Sequence, residues 1–272
     1  NILAIQFSIP RNDPPEKIID RTLLNKSRDI IGTDPYYCFI GIEKKGLIWA
    51  GMLSEIFKCP LIYYSLELYL EDNPVLDRVY HLLNAERKFH KSSIATIIQD
   101  PLRAHALLKG NGIDYTNVIY LPVSSRGKVL KDRSYFLHDR LKIDSNKKII
   151  LYFGGLDKTR SIEEIVRSAV NLDKDSILVL HGFGPKRYIQ HLLSIADIDK
   201  VKFSFDFIPE DQILKLISSA HIGIALYKTT NANDRLVAYS ASKIAYYTQC
   251  GVPMIAFDTE SFRQLSEAHH CI

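Results

Sequence analysis

The sequence predicts an α/β protein made of two doubly wound domains, and three observations carry that expectation. Short apolar runs rich in Ile, Val, Leu and Phe alternate with amphipathic stretches along all 272 residues. The alternation appears twice, on either side of one short basic segment. The hydrophobic share, 46%, is enough to fill a core in each half.

In chain order, the first domain is expected over 1–125. Its strands read ILAIQFSI (2–9), YCFIGI (37–42), PLIYY (60–64), SIATIIQ (93–99) and VIYLP (118–122), with helical patterns near 15–31, 45–57, 74–91 and 101–109. The second domain, with the basic segment at its head, is expected over 126–272. Its strands read IILYF (149–153), SILVLH (176–181), VKFSF (201–205), HIGIAL (221–226) and PMIAF (253–257). Helical patterns fall between them at about 161–171, 185–196, 210–219 and 241–249, and another starts near Glu260. Strands of this length separated by helices imply a parallel sheet covered on both faces.

The net charge of +4 is local. Residues 126–148, RGKVLKDRSYFLHDRLKIDSNKK, carry 8 Lys/Arg against 3 Asp/Glu, while 1–125 carry 14 against 14 and 149–272 carry 13 against 14. A nucleic-acid surface would spread its basic residues along a groove or helix, so no nucleic-acid partner is expected. The segment reads as an interdomain connection facing water, an anionic ligand or a membrane surface. No apolar run reaches the roughly 18 residues that span a bilayer, and the start, NILAIQFSIPRNDPP, lacks a signal-peptide layout. It also lacks an initiator Met, so an earlier N-terminus is expected. The cysteines Cys38, Cys59, Cys250 and Cys271 are widely spaced, without zinc-ligand spacing, and read as buried thiols of a reducing cytosol. His269 and His270 read as a solvated loop.

Ligands of open α/β sheets bind outside the carboxyl ends of the strands. In the second half that edge carries GGLDKTR (154–160), GFGP (182–185), DFIP (206–209), YKTTNANDRLVAYSASK (227–243) and DTES (258–261). Gly154 and Gly155 admit a ligand close to the backbone, and Arg160 can pair with phosphate oxygens, although a tight turn with a solvated arginine fits equally. Gly182-x-Gly184 begins like a dinucleotide fingerprint, but Pro185 and Arg187 break it. In SASKIAYYTQCGVP, Ser242 and Lys243 open a helix and read either as a cap with a solvated lysine or as a phosphate seat. Asp173-Lys-Asp175 and Asp197-Ile-Asp199 precede strands, at the opposite edge, and read as solvated turns; no metal site is expected. In the first half the ligand edge offers GIEKKG (41–46) and YYSLELYLED (63–72). There Glu67, flanked by Tyr63, Tyr64 and Tyr69, reads as a base or hydroxyl-binding carboxylate, or as a helix cap.

From Ile149 to Gln264 the order and spacing of these pieces resemble the nucleotide-binding domain of GT-B glycosyltransferases of the family 4-like group: Gly154-Gly155, Arg160, LHGFGP, VKFSFDFIPEDQILKLISSAHIGIAL and SKIAYYTQCGVPMIAF. The first half, with IEKKGLIWAGMLSEIFKCPLIYYSLELY and VIYLP, is similar to the acceptor domain of the same group. The group's opening strand with its loop and its closing helices lack counterparts here. The resemblance implies two Rossmann-like domains facing each other across a cleft. It implies that Gly155 and Arg160 approach a donor diphosphate, Gly182 and Gly184 border the nucleotide, the backbone at Phe207 and Ile208 meets the base, and Ser242 and Lys243 hold phosphate. Glu67 is the acidic candidate on the acceptor side. Where many members carry two glutamates, the second of which binds the ribose, this chain has Ala238 and Tyr246.

The activity so implied is metal-independent transfer of a sugar from a UDP- or GDP-linked donor to a carbohydrate or lipid-linked acceptor, as in polysaccharide biosynthesis. The nucleotide sugar is substrate, and no separate cofactor is expected. A cytoplasmic place is implied, with peripheral contact at the inner membrane surface through the basic segment. A non-catalytic partner subunit and a UDP-sugar epimerase of the same fold are the alternatives.

Overall fold

The computed structural model describes residue 4 and residues 21–32, 35–70, 80–114, 117–128, 130 and 132–269. The chain divides into two compact units, Asn1–Pro122 and Val123–Ile272.

In unit 1 the order is α1 (Arg21–Ile31), β1 (Phe39–Ile42), α2 (Glu43–Phe57), β2 (Leu61–Tyr64), α3 (Tyr80–Ser92), β3 (Ala95–Ile98), α4 (Pro101–Asn111) and β4 (Asn117–Tyr120). The four strands pair in parallel in the order β1-β2-β3-β4. The strand expected at 2–9 lies outside the described residues except for Ala4. Helix α2 buries Leu47, Ile48 and Leu53 and presents Gly51 to the Phe89 ring of α3, where a Cβ would stand 2.2 Å from the ring. Helix α4 has its signals in sequence: Asp100 accepts the N–H of Arg103 at 3.0 Å, Pro101 opens the first turn, and Gly112 closes the helix at φ 64°.

In unit 2 the order is α5 (Phe136–Leu141), β5 (Lys148–Phe153), α6 (Ile162–Ser168), β6 (Ser176–His181), α7 (Lys186–Ile195), β7 (Val201–Ser204), α8 (Glu210–Ser218), β8 (Ile222–Ala225), α9 (Ala232–Arg235), α10 (Ser242–Gln249), β9 (Met254–Ala256) and α11 (Glu260–His269). The parallel sheet runs β7-β6-β5-β8-β9, so the winding reverses between β5 and β8. Every residue of β6 is buried, its apolar centre Ile177–Leu180 lying in the cores of both faces. One face packs Leu151, Val179, Leu216 and Phe262, and the other packs Tyr152, Leu180, Leu192 and Ile165. Each such aliphatic side chain contributes about 1.5–3 kcal/mol of burial. Gly223 of β8 gives its face to the Tyr247 ring, whose hydroxyl donates to the Leu151 carbonyl at 2.8 Å.

The basic segment is fastened to unit 2. The N–H of Val123 donates to the Tyr239 carbonyl at 2.9 Å, Gln249 bridges to the Gly127 carbonyl at 2.9 Å and to the Ser125 hydroxyl, and Leu137 is fully buried. Arg126 and Arg140 pair with Glu210 and Asp206. Helices α5 and α9 have no counterpart among the expected elements, being too short to show a period. Of the cysteines, Cys59 is buried, whereas Cys38 and Cys250 are only partly so; Cys271 and His270 lie outside the described residues, and His269 ends α11.

Candidate functional site

The winding reverses between β5 and β8, and the carboxyl ends of strands at such a reversal are where open α/β sheets bind ligands. Tyr152, second to last in β5, is buried against the unit 2 core, and its hydroxyl donates to the Gly155 carbonyl at 2.7 Å. Tyr227 follows β8 and is also buried. Lys243, in the first turn of α10, rests its ammonium 3.9 Å from the centre of the Tyr152 ring and 5.2 Å from that of Tyr227. Arg160 lies over the Tyr227 ring at 4.8 Å and pairs with Asp234 of α9 at 2.9 Å. Two cations thus converge on one tyrosine ring, an arrangement worth about 0.5–2 kcal/mol for each contact.

Their electrostatics differ. Lys243 is 7% exposed, and burial, reinforced by the Arg160 charge and opposed by Asp157, lowers its pKa to about 7. For Arg160, burial works against the charge, but the Asp234 carboxylate outweighs it and raises the pKa above the ordinary value. Among the described residues no carboxylate pairs with the Lys243 ammonium.

The structure places the expected donor-side residues as follows, with Phe207 and Ile208 past β7 at the far end of the strand order. Gly154 adopts φ 137°, and a Cβ there would stand 3.4 Å from Lys243 Cε, while a Cβ on Gly155 would meet only an Asp157 oxygen, at 3.5 Å. Gly182 and Gly184 face backbone: added Cβ atoms would stand 1.8 Å from the Gly154 carbonyl oxygen and 2.0 Å from that of Leu156. Arg160 closes a short 3-10 turn, Lys158–Arg160, ahead of Ser161, and does not open α6 itself. Ala241, with extended backbone, caps α10; Ser242 is the first helical residue, exposed and without a side-chain cap bond. Phe207 is 79% exposed beyond β7, whereas Ile208 is buried in the core. Ala238 is buried and donates its N–H to Ser261 Oγ at 3.2 Å, and Tyr246 packs edge-on against Phe153. The two Asp-x-Asp pairs are turns: Asp173 and Asp197 accept the N–H groups of Asp175 and Asp199. Asp157 and Lys158 border a cavity of about 420 Å³ with Tyr188, Arg187 and His191 on its wall.

The carboxyl edge of unit 1 holds acids. Glu67 is exposed and lies past the end of β2 in a stretch that is neither helix nor strand. Of its expected tyrosine neighbours, Tyr63 turns inward to donate to Glu86 at 2.8 Å, in a buried group with Lys44 and His90, while Tyr69 lies close enough to Glu43 and Glu67 for both charges to raise its pKa after burial does. Glu43 was not among the expected site residues. Burial raises its carboxyl pKa, against the hydrogen bonds from the Glu67 and Leu66 N–H groups. Its one sequence signal is its place directly after an apolar strand, between Gly41 and Gly46. Among the described residues no group of three or more His, Cys, Asp or Glu is placed to hold a metal ion, and no helix is long and apolar enough to cross a membrane.

No protein-family model and no curated protein sequence matches the chain. Solved structures do. The chain is similar to sucrose-phosphate synthase from Thermosynechococcus elongatus, with a TM-score of 0.70 at 18% identity over 93% of this chain and 64% of that one. It is similar to Anabaena HepE in complex with UDP-glucose, with a TM-score of 0.64 at 16% identity over 90% and 64%. It is also similar to an alpha,alpha-trehalose-phosphate synthase (UDP-forming) from Burkholderia vietnamiensis, with a TM-score of 0.60 at 12% identity over 89% and 62%. The chain therefore spans less than two thirds of the length of each of these structures. At such identities the likeness is one of fold, and the fold is the GT-B fold of two parallel α/β units.

Proposed function

We propose that the chain contributes the donor and acceptor units of a glycosyltransferase, moving a sugar from a nucleoside-diphosphate donor to a hydroxyl of a carbohydrate or lipid-linked acceptor. The observation that carries this is the convergence of Lys243 and Arg160 on Tyr227 at the β5/β8 reversal, beside Gly154 and Gly155. UDP is the preferred donor nucleotide, because one similar structure holds UDP-glucose and another is named as UDP-forming.

Breaking the bond between the sugar and the diphosphate leaves negative charge on the departing phosphate oxygen. The Arg160 guanidinium offers paired N–H donors to it, and the Lys243 ammonium and the start of α10 add positive potential. The tyrosine faces hold both cations in place while leaving their N–H groups able to meet an anion. On the other unit, Glu67 is the carboxylate that receives an acceptor hydroxyl. We place the protein in the cytoplasm, with any membrane contact made through the basic segment.

Calorimetric titration with UDP, GDP and ADP tests the reading: one of them binds, and Lys243→Met and Arg160→Ala weaken it. If none binds, the reading fails. A binding subunit without turnover is the second reading, favoured by Ala238 and Tyr246 at the two glutamate positions; nucleotide binding without donor hydrolysis or transfer would select it.

A further inference from the structure

Strand β1 passes into helix α2 without a connecting loop, and the bend is taken at Glu43, whose φ of 62° is one that non-glycine residues seldom adopt. The bend is tight because Gly41 lies against the backbone of the helix: a Cβ there would stand 2.4 Å from the Leu47 Cα. Bends of this kind, at the carboxyl end of a strand, hold a side chain in a fixed direction at a backbone cost that ordinary turns avoid.

The Glu43 carboxylate is used on the neighbouring loop. Its Oε1 accepts the N–H groups of Leu66 and Glu67, at 2.6 and 2.9 Å. From the other side, Arg103 Nη2 of α4 donates to the Leu66 carbonyl at 2.7 Å, and Gln99 Nε2 donates to the Ser65 carbonyl at 2.8 Å. Arg103 Nε in turn donates to Gln99 Oε1 at 2.6 Å, and the arginine is fully buried. Backbone 65–67 is thus held by side chains from the first residue of α2, from Gln99 after β3 and from α4; only the Ser65 N–H continues the sheet ladder, to the Ile97 carbonyl at 3.0 Å, in a stretch that is neither helix nor strand. Beyond it come Glu67 itself and Tyr69, a carboxylate and an aromatic face, the two groups that recognise a polyhydroxylated ligand.

We propose that Glu43 is a positioning residue: with Arg103 and Gln99 opposite, it fixes backbone 65–67 so that Glu67 and Tyr69 are presented to a hydroxyl-bearing acceptor. The nature of the acceptor rests on the glycosyltransferase reading, whereas the clamp does not.

Amide hydrogen exchange on the full chain tests the clamp without reference to activity. In Glu43→Ala the amides of Leu66 and Glu67 exchange at least about tenfold faster, while those of β6 are unchanged. Glu43→Gln keeps an oxygen in reach and retains most of the protection. Glu43→Asp keeps the charge but loses the reach, and follows the alanine variant. If Ala fails to fold, the contrast between Gln and Asp decides. Unchanged exchange at Leu66 and Glu67 in Ala and Asp overturns the clamp. For the positioning role, Ala raises the acceptor KM about tenfold with the UDP Kd within about twofold of the parent, and Gln restores most of the loss. Lost protection with an unchanged acceptor KM overturns positioning while leaving the glycosyltransferase reading intact. Absence of nucleotide binding in the unaltered protein removes that reading, and with it the assigned acceptor, but leaves the exchange result standing.

Discussion

At the carboxyl edge of its sheet, unit 1 sets the carboxylates of Glu43 and Glu67 near a buried Arg103, whereas unit 2 sets Lys243 and Arg160 against tyrosine faces. The strands beneath are of the same parallel kind; the loops decide the sign of the charge. The compensation differs too. Arg103 spends its donors inside the protein, on Gln99 and the Leu66 carbonyl, and Arg160 has Asp234, but Lys243 rests on aromatic rings with no paired carboxylate among the described residues and a lowered pKa. A buried cation with internal partners supports structure. A buried cation held mainly on aromatic rings is suited to an incoming anion.

The largest effect that can break this contrast is on stability. Arg103→Met should cost about 3 kcal/mol, because it leaves the Leu66 carbonyl and Gln99 without their donor, measured by denaturant unfolding. Lys243→Met should cost nothing or stabilise by about 1 kcal/mol, since it removes a desolvated amine, yet it should weaken UDP binding about 100-fold. Two variants that destabilise alike would erase the distinction between the units. Arg160→Lys, which keeps charge but loses the planar fork, should weaken UDP about tenfold in the same titration.

The pH dependence follows from Lys243. Its folded pKa of about 7 lies below the unfolded value of 10.5, so the unfolded chain binds more protons between those limits. Its contribution to stability therefore rises with pH from about 7 to 10.5, and Lys243→Met should flatten that rise in thermal melts. UDP affinity should move the other way, falling towards about tenfold per pH unit above 7 as the free amine loses its proton, with proton uptake visible in buffers of different ionisation enthalpy. The smallest effect expected is weak, salt-sensitive binding of anionic vesicles by the 126–148 segment, because Arg126 and Arg140 already face Glu210 and Asp206. Sedimentation with such vesicles at low and high salt measures it.

How far the sequence discloses this protein depends on the scale of the feature. Strands are legible because a buried parallel strand has a continuous apolar centre: SILVLH, with Ile177–Leu180 between its polar ends, matches β6 residue for residue. The turns after β5 and β6 are legible because glycines and basic residues mark them. What the sequence conceals is burial of single polar groups. Arg103 falls in the helical pattern at 101–109 with nothing local to mark it out, yet it is fully buried. Tyr152 reads as one more apolar residue of IILYF, and its ring proves to be a seat for Lys243. Glu43 is hidden for a different reason. A positive φ at a glutamate is imposed by Gly41 packing on Leu47, a tertiary contact that no local pattern records.

The contact of Gly182 with Gly154, and of Gly184 with Leu156, has a mechanical consequence. The N–H of Gly154 donates to the His181 carbonyl at 3.0 Å, that of Leu156 to Phe183 at 2.8 Å, and that of Gly182 to Ser204 at 3.1 Å. The sheet ladder thus runs past the ends of its strands into the loops and joins them into one stiff plate. A ligand that settles on any part of it meets walls already in place, so little ordering entropy is lost on binding. A substitution that parts these backbones would loosen the loops after β5 and β6 together.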